Sequence, residues 1–420
     1  MLRARGIVAF FVLSAGISLG QNVTSSDQET IRLLVQQVRE LQEKVAVLEG
    51  KEASQPAERA EPSASAQPAQ EAAAIESPPA LDLHEVHGIQ WRGFGEVNYK
   101  ALDQRQPELG TFGFVPGSAA NFYTGDFDLF LTSKISDKAS VLAELVFGQG
   151  DAQSFSVDLE RVLLKYDYND SLRMSFGRYH TGIGYYNTAF HSGKWLQTTA
   201  DRPLIMEFAN DGGLLPTQAV GVSMTGLIPS GKLGLNYTLE YGSSDTVRPE
   251  VDMNDGLVDE NNGNHFNVGF FMRPDAIPGL QLGASVYHDK ISDFNRGPSV
   301  RLGQTITNVH AVYIARGVEF LSEGFLIHHA YEEHGPVYNT SSFYAQISKS
   351  FARYRPFFRY QYVNANQNSI FEDVSLRHGP SFGARYDFND SVALKAQLDH
   401  TFRKGKPDLN GLQLQFAFTF

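Results

Sequence analysis

The chain has 420 residues, with 35 basic against 47 acidic side chains for a formal charge of −12, and no cysteine. The lack of cysteine removes disulfide stapling, thiol catalysis and Cys-based metal sites together, and the acidic balance argues against a nucleic-acid partner. Beyond the N-terminal region no stretch approaches about 18 consecutive apolar positions, so no transmembrane helix is expected; strands that alternate in polarity escape any such window.

Residues 1–20 read as a secretory signal: charged Met1-Leu-Arg-Ala-Arg5, an apolar run from Gly6 to Leu19, and small residues before Gln21. Cleavage removes Arg3 and Arg5, which takes 35 basic residues to 33 against 47 acidic ones, a charge of −14. No cysteine follows, so a lipid anchor is not expected.

Residues 21–50 carry a heptad in which Ile31, Leu34, Val38, Leu41, Val45 and Leu48 take successive a and d positions. Lys44 at g and the following e-position Glu49 are placed for an interchain pair. This coiled-coil helix is too short to be stable alone, so something else must bring copies together. β-branched a positions with Leu at d lean toward two strands, and a trimer follows only from context. The alternative is an amphipathic helix lying on its own chain. Residues 51–85 are rich in Pro, Ala, Glu and Ser, with almost nothing to bury, and read as a linker.

From residue 86 to 420 the period changes to two. Ile89, Trp91, Val97 and Tyr99 oppose Gln90, Arg92, Glu96 and Asn98, and similar two-faced segments recur to the end of the chain. Short turns such as Ser136–Lys138, Asn169–Ser171, Ala315–Gly317 and Asn389–Ser391 alternate with long connections. That asymmetry predicts an all-β transmembrane antiparallel barrel of about sixteen strands. The expected spans are 89–99, 121–135, 139–149, 156–168, 171–179, 217–227, 232–242, 264–273, 280–289, 304–314, 317–329, 340–349, 354–364, 375–388, 391–402 and 409–420. An even count puts both barrel ends on the side of the short turns. In the fourth span Val157 and Leu159 disagree in phase with Val162, Leu164 and Tyr166, which predicts a bulge near Glu160. The last strand ends Leu412, Leu414, Phe416, Phe418, Phe420 on one face and Gln413, Gln415, Ala417, Thr419 on the other.

Inward positions include Arg92, Arg173, Arg273, Arg359, Arg377, Arg385 and Lys395 against Glu96, Asp126, Asp128, Glu144, Glu240, Glu319, Glu323 and Asp399. Arg92, Arg359, Arg377, Arg385 and Lys395 fall on strands that closure makes neighbours. With Arg173 they are the expected pore-lining, anion-selecting residues; the plainer alternative is that they pair with lumen acids. The long connection from Tyr179 to Pro216 is rich in glycine and aromatics, which predicts packing inside the lumen as a constriction. Tyr185, Tyr186, His191, Lys194 and Arg202 are its candidate solute contacts; a trimer-contact or surface loop is the alternative. The histidines of His328–His334 match no zinc spacing, and Asp252–Gly256 lacks calcium-loop spacing. No nucleophile elbow, phosphate loop or paired-carboxylate motif stands out, so no catalysis, cofactor or metal is expected.

Phe94-Gly-Glu-Val97, Ser175-Phe-Gly-Arg178, the terminal Phe420 and the N-terminal coil with linker resemble the sixteen-stranded porins of the phosphate-selective porin O/P type and their DcaP-like relatives. The resemblance covers residues 31–50 and 89–420. It implies a homotrimer in the outer-membrane lipid of a Gram-negative-type bacterium, with coil and linker in the periplasm within reach of peptidoglycan. It also implies that Phe420 is read by the barrel assembly machinery, and that small hydrophilic, anionic solutes pass by diffusion. The chain departs from the phosphate-selective pattern in having almost as many lumen acids as bases, which weakens the case for phosphate itself. Other readings are a structural anchor whose coil contacts the cell wall, a secreted soluble all-β enzyme, and a transporter of hydrophobic substrates, the last disfavoured by charged inward positions.

Overall fold

The computed structural model describes residues 84–86, 88–104, 120–149, 155–207, 213–244, 264–293, 296, 300–366, 370–371 and 374–420. The expected signal peptide, the coil residues Ile31, Leu34, Val38, Leu41, Val45 and Leu48, the linker up to residue 83 and the Asp252–Gly256 stretch lie outside the described residues.

Among the described residues no helix is long and apolar enough to cross a membrane. Sixteen antiparallel strands instead close into a ring. They are β1 (Ile89–Leu102), β2 (Ala120–Lys134), β3 (Ala139–Gln149), β4 (Phe155–Asn169), β5 (Leu172–His180), β6 (Gln218–Ile228), β7 (Leu235–Ser244) and β8 (His265–Met272). The second half comprises β9 (Leu280–Ser292), β10 (Arg301–Ala315), β11 (Val318–Tyr331), β12 (Val337–Lys349), β13 (Tyr354–Asn364), β14 (Leu376–Asp387), β15 (Val392–Arg403) and β16 (Leu409–Thr419). Each pairs with its neighbours in sequence, and β16 closes on β1 from Gly411↔Leu102 to Thr419↔Phe94. A three-residue strand, His84–Val86, turns at Gly88 and pairs back on the start of β1. Every expected span overlaps a strand; β10 and β12 begin three residues earlier than expected, at Arg301 and Val337, and β7 begins three residues later, at Leu235, because Gly231–Leu233 form a single 3-10 turn.

The alternation explains which way each strand faces. Gln413 and Gln415 are fully buried, whereas Leu414 and Phe416 are 38% and 49% exposed. The same split separates Arg359 from Phe358 and Lys395 from Leu398. An apolar exterior of this extent is unstable in water and suits lipid. At the chain end the rings of Phe420 and Phe418 lie over Gly93 and Gly95, where a Cβ would come within 2.1 and 2.6 Å of ring atoms. Phe420 also packs against Trp91 and Phe127. The glycines of the opening strand thus make room for the aromatic close of the last one.

Turns follow the residue types. Asn169 and Asn389 accept backbone N–H groups two residues on, from Ser171 at 2.9 Å and Ser391 at 2.8 Å. Arg316 and Gly317 both have positive φ, as a two-residue hairpin requires. The connections at this end are short, and those at the other end are longer, the longest described in part being residues 181–217, called L3 below.

The expected bulge is present. β3 and β4 pair Glu144↔Arg161 and then Leu145↔Leu159, leaving Glu160 without an opposite residue. Glu160 and Arg161 are consecutive yet both buried. Three residues past Glu160, Leu163 pairs with Gly177, whose φ is +130° and where a Cβ would stand 2.0 Å from the Val162 carbonyl oxygen.

Candidate functional site

L3 enters the lumen. Its neck is closed by Thr181 N–H donating to Thr217 O at 2.9 Å and by Thr181 Oγ1 donating to Pro216 O at 2.6 Å. Beyond the neck, inward carboxylates catch the backbone. Glu240 accepts Gly182 N–H at 2.9 Å. Glu323 accepts Tyr185 N–H at 2.7 Å, Tyr186 N–H at 2.9 Å and the Tyr344 hydroxyl at 2.7 Å. A Cβ on Gly184 would sit 2.2 Å from Glu323 Oε2, and its φ is +80°, so this approach needs glycine. One turn of helix, α1 (Tyr186–Phe190), follows.

The apolar residues of L3 have a matching wall. Ile183, Tyr185, Tyr186, Phe190, Ile205 and Met206 pack against inward Tyr287, Ile306, Val312, Leu321, Phe325 and Tyr344 of β9 to β12. The tyrosine pair is therefore buried between loop and wall. Lys194 keeps an exposed edge and lies 3.7 Å from Glu96. Arg202 is buried and donates to His191 O.

Across the lumen, L3 turns its carbonyl groups to the basic side chains of β13 to β15. Arg385 donates to Gln197 O at 3.0 Å, Lys395 to Thr199 O at 3.0 Å, and Arg359 to Asp201 O at 2.9 Å. Gln397 accepts Ala200 N–H at 3.0 Å and Gln415 donates to Ala200 O at 3.2 Å. Trp195 lies between two guanidinium groups, 5.5 Å from Arg92 and 5.3 Å from Arg385. Of the residues expected to line the pore, Arg92, Arg359, Arg385 and Lys395 thus converge beneath the loop. Arg173 stands at the short-turn rim, 3.3 Å from Asp170, and Arg377 at the opposite rim, donating to Val374 O at 2.9 Å.

Carboxylates at the lumen are partly neutralised. Glu144 pairs with Arg161 at 2.5 Å, and Lys100 with Asp201 at 3.3 Å. Free space remains on both sides of L3. A recess of about 300 Å³ at the short-turn end is bordered by Tyr185, Arg273, Gln281 and Val312. One of about 60 Å³ toward the long-loop end is lined by Lys100, Arg202 and Arg359 against Asp201, Glu207 and Asp399, three charges of each sign.

Such an arrangement, a closed barrel with a long loop folded inward, can be compared with solved structures. No protein-family model matches the chain, and no curated protein does. Structures that resemble it are the outer-membrane channel DcaP of Acinetobacter baumannii (TM-score 0.53, 9% identity, 79% of this chain and 97% of that one), a trimer form of OmpT, an outer membrane protein of Vibrio cholerae (0.51, 12%, 79% and 99%), and an anion-selective porin from Comamonas acidovorans (0.51, 13%, 79% and 99%). The fold is the porin barrel. In this barrel the wall cations and the lumen carboxylates hold the L3 backbone from different strands.

Sequence reasoning marked Glu160 only as the place of a bulge and did not single out Arg161 or His180; all three meet L3 at the β4–β5 wall. The phase break between Leu159 and Val162 was the available signal, because a bulge brings two consecutive residues to one face. Nothing local marks His180, whose neighbour His191 arrives from eleven residues further along the loop.

Proposed function

We propose that this chain is an outer-membrane porin through which small hydrophilic solutes, anions in particular, diffuse passively. One observation carries the reading: an apolar exterior encloses a charged lumen that L3 narrows, with a recess on either side of the loop. The chain is a channel in this view, not an enzyme. The cluster of Arg92, Arg359, Arg385 and Lys395 supports a preference for anions, tempered by the balanced charges of the long-loop recess. Tyr185, Tyr186 and His191 shape the constriction from behind, and Lys194 and Arg202 meet solute. Residues 1–20 direct export, and Phe420 marks the chain for barrel assembly. Three copies associate, as the OmpT trimer form makes plausible for this barrel type, with residues 21–50 coiled together in the periplasm and 51–85 as the tether.

Single-channel recording of purified protein in planar bilayers tests this: reproducible conductance steps and a reversal potential of anion sign in a salt gradient are expected. A structural anchor is the second reading, favoured by the full burial of Arg359, Lys395, Gln413 and Gln415 within the lumen. An anchor gives no reproducible steps.

A further inference from the structure

Two groups that the diffusion reading does not use, Glu160 and His180, meet His191 where L3 touches the wall. Glu160 sits at the bulge of β4, His180 ends β5, and His191 follows α1. One ligand atom of each lies within 4.8 Å of the others, and all three side chains are buried. We propose that Glu160, His180 and His191 bind a divalent transition-metal ion of the zinc class, clamping L3 to the barrel wall.

The hydrogen bonds around His191 set its tautomer. Asn187 directs its amide nitrogen to Thr181 O and Thr217 O, each at 2.9 Å. Its Oδ1 therefore faces His191 Nδ1, at 2.8 Å, and that ring nitrogen carries the proton. In the neutral ring Nε2 then holds a lone pair, and it points at Glu160 Oε1, another acceptor. The short contact between them is satisfied by a proton on Nε2, which makes an imidazolium that donates to Asn187 and Glu160 alike, or by a metal ion in that proton's place. An outer hydrogen bond that fixes one imidazole nitrogen and frees the other is how proteins orient metal-ligating histidines.

His180 adds the second nitrogen. Its Nε2 makes no hydrogen bond, is buried, and lies 3.4 Å from the same Glu160 oxygen. Its ring stacks on His191 with centroids 3.6 Å apart, an approach that two imidazolium ions would resist. Of the guanidinium groups around the cluster, Arg161 is held by Glu144, Arg202 donates to the backbone oxygen of His191, and Arg178 donates to the backbone oxygen of Glu160 at 3.2 Å.

Two nitrogens and one carboxylate oxygen suit zinc and its neighbours better than calcium or magnesium, which take oxygen ligands. Metal–ligand bonds of about 2.0–2.1 Å in a tetrahedron separate ligand atoms by roughly 3.4 Å, the spacing of His180 and Glu160. Glu160 and His191 lie closer and must part to admit the ion. Glu144 Oε2, 3.9 Å from His180 Nε2, borders the fourth position, which water can fill. The proposal goes beyond the diffusion reading and does not depend on it, since binding is measured whether or not the protein conducts.

The experiment is a titration of untagged full-length protein in detergent, stripped with EDTA and dialysed, with Zn²⁺ by calorimetry and with Co²⁺ by visible absorption. One saturable site per chain and the visible bands of a low-coordinate nitrogen–oxygen cobalt site are expected. Affinity should fall at least about tenfold in His180→Gln and in Glu160→Gln, and hold in His328→Gln, which alters an outward histidine. Heat-modifiable gel mobility establishes that each variant barrel is folded, and wild-type binding decides the matter should a variant not fold. No saturable Zn²⁺ binding by the wild type, or undiminished binding in both folded variants, overturns the proposal and leaves a shared proton as what holds the three groups together.

Discussion

Glu160 and Arg161 both reach the lumen because the register between β3 and β4 slips by one residue at Glu144. The slip keeps Val157, Leu159, Val162 and Leu164 on the lipid side, where all four are exposed, and so preserves the apolar exterior across a break in phase. The increased local twist is accommodated across the pair by Gly177, whose φ of +130° and contact with the Val162 carbonyl leave no room for a side chain. Gly177→Ala should therefore lower the barrel's unfolding free energy by about 1–3 kcal/mol, read as an earlier midpoint in guanidinium unfolding of the detergent-folded protein. A midpoint equal to wild type would mean that β5 shifts freely against β4 at this point.

Among the elements, L3 is the one whose place the strands decide. Its N-terminal part is held by carboxylates, Glu240 and Glu323, and its later part by cations, Arg359, Arg385 and Lys395. Buried backbone groups demand partners, and here the partners are charged, which strengthens each bond. The basic residues fasten the loop, and in the proposed channel they would also set the field of the lumen. Arg359→Glu with Arg385→Glu should lower the anion-to-cation permeability ratio and, by repelling the L3 carbonyls, raise single-channel conductance as well. An unchanged reversal potential would show that this wall lies outside the ion path. A fall in the ratio without a rise in conductance would show that the remaining anchors suffice for the loop.

For the whole molecule, closure places the first and last strands side by side, and an even strand count puts both ends on the short-turn rim. A helix of about two and a half heptads gains stability only when its copies are held together, so coil and barrel oligomer should support each other. Deleting residues 21–80 should leave an inserted barrel whose oligomer dissociates at a lower temperature on unheated gels. Equal heat resistance would assign the coil a role outside the oligomer. What the sequence by itself determined is the sixteen strands, their direction and their faces, because a period of two is a local property that each strand carries whole. It also marked the bulge, since a change of phase is visible along one segment. The tertiary structure alone decided that four of the six expected pore cations meet beneath L3 while Arg173 and Arg377 stand at opposite rims, because height along a barrel depends on register between strands. It alone brought His180 beside His191 and Glu160, because a loop that folds back into a closed space meets partners chosen by shape and charge, and no repeat along the chain records them.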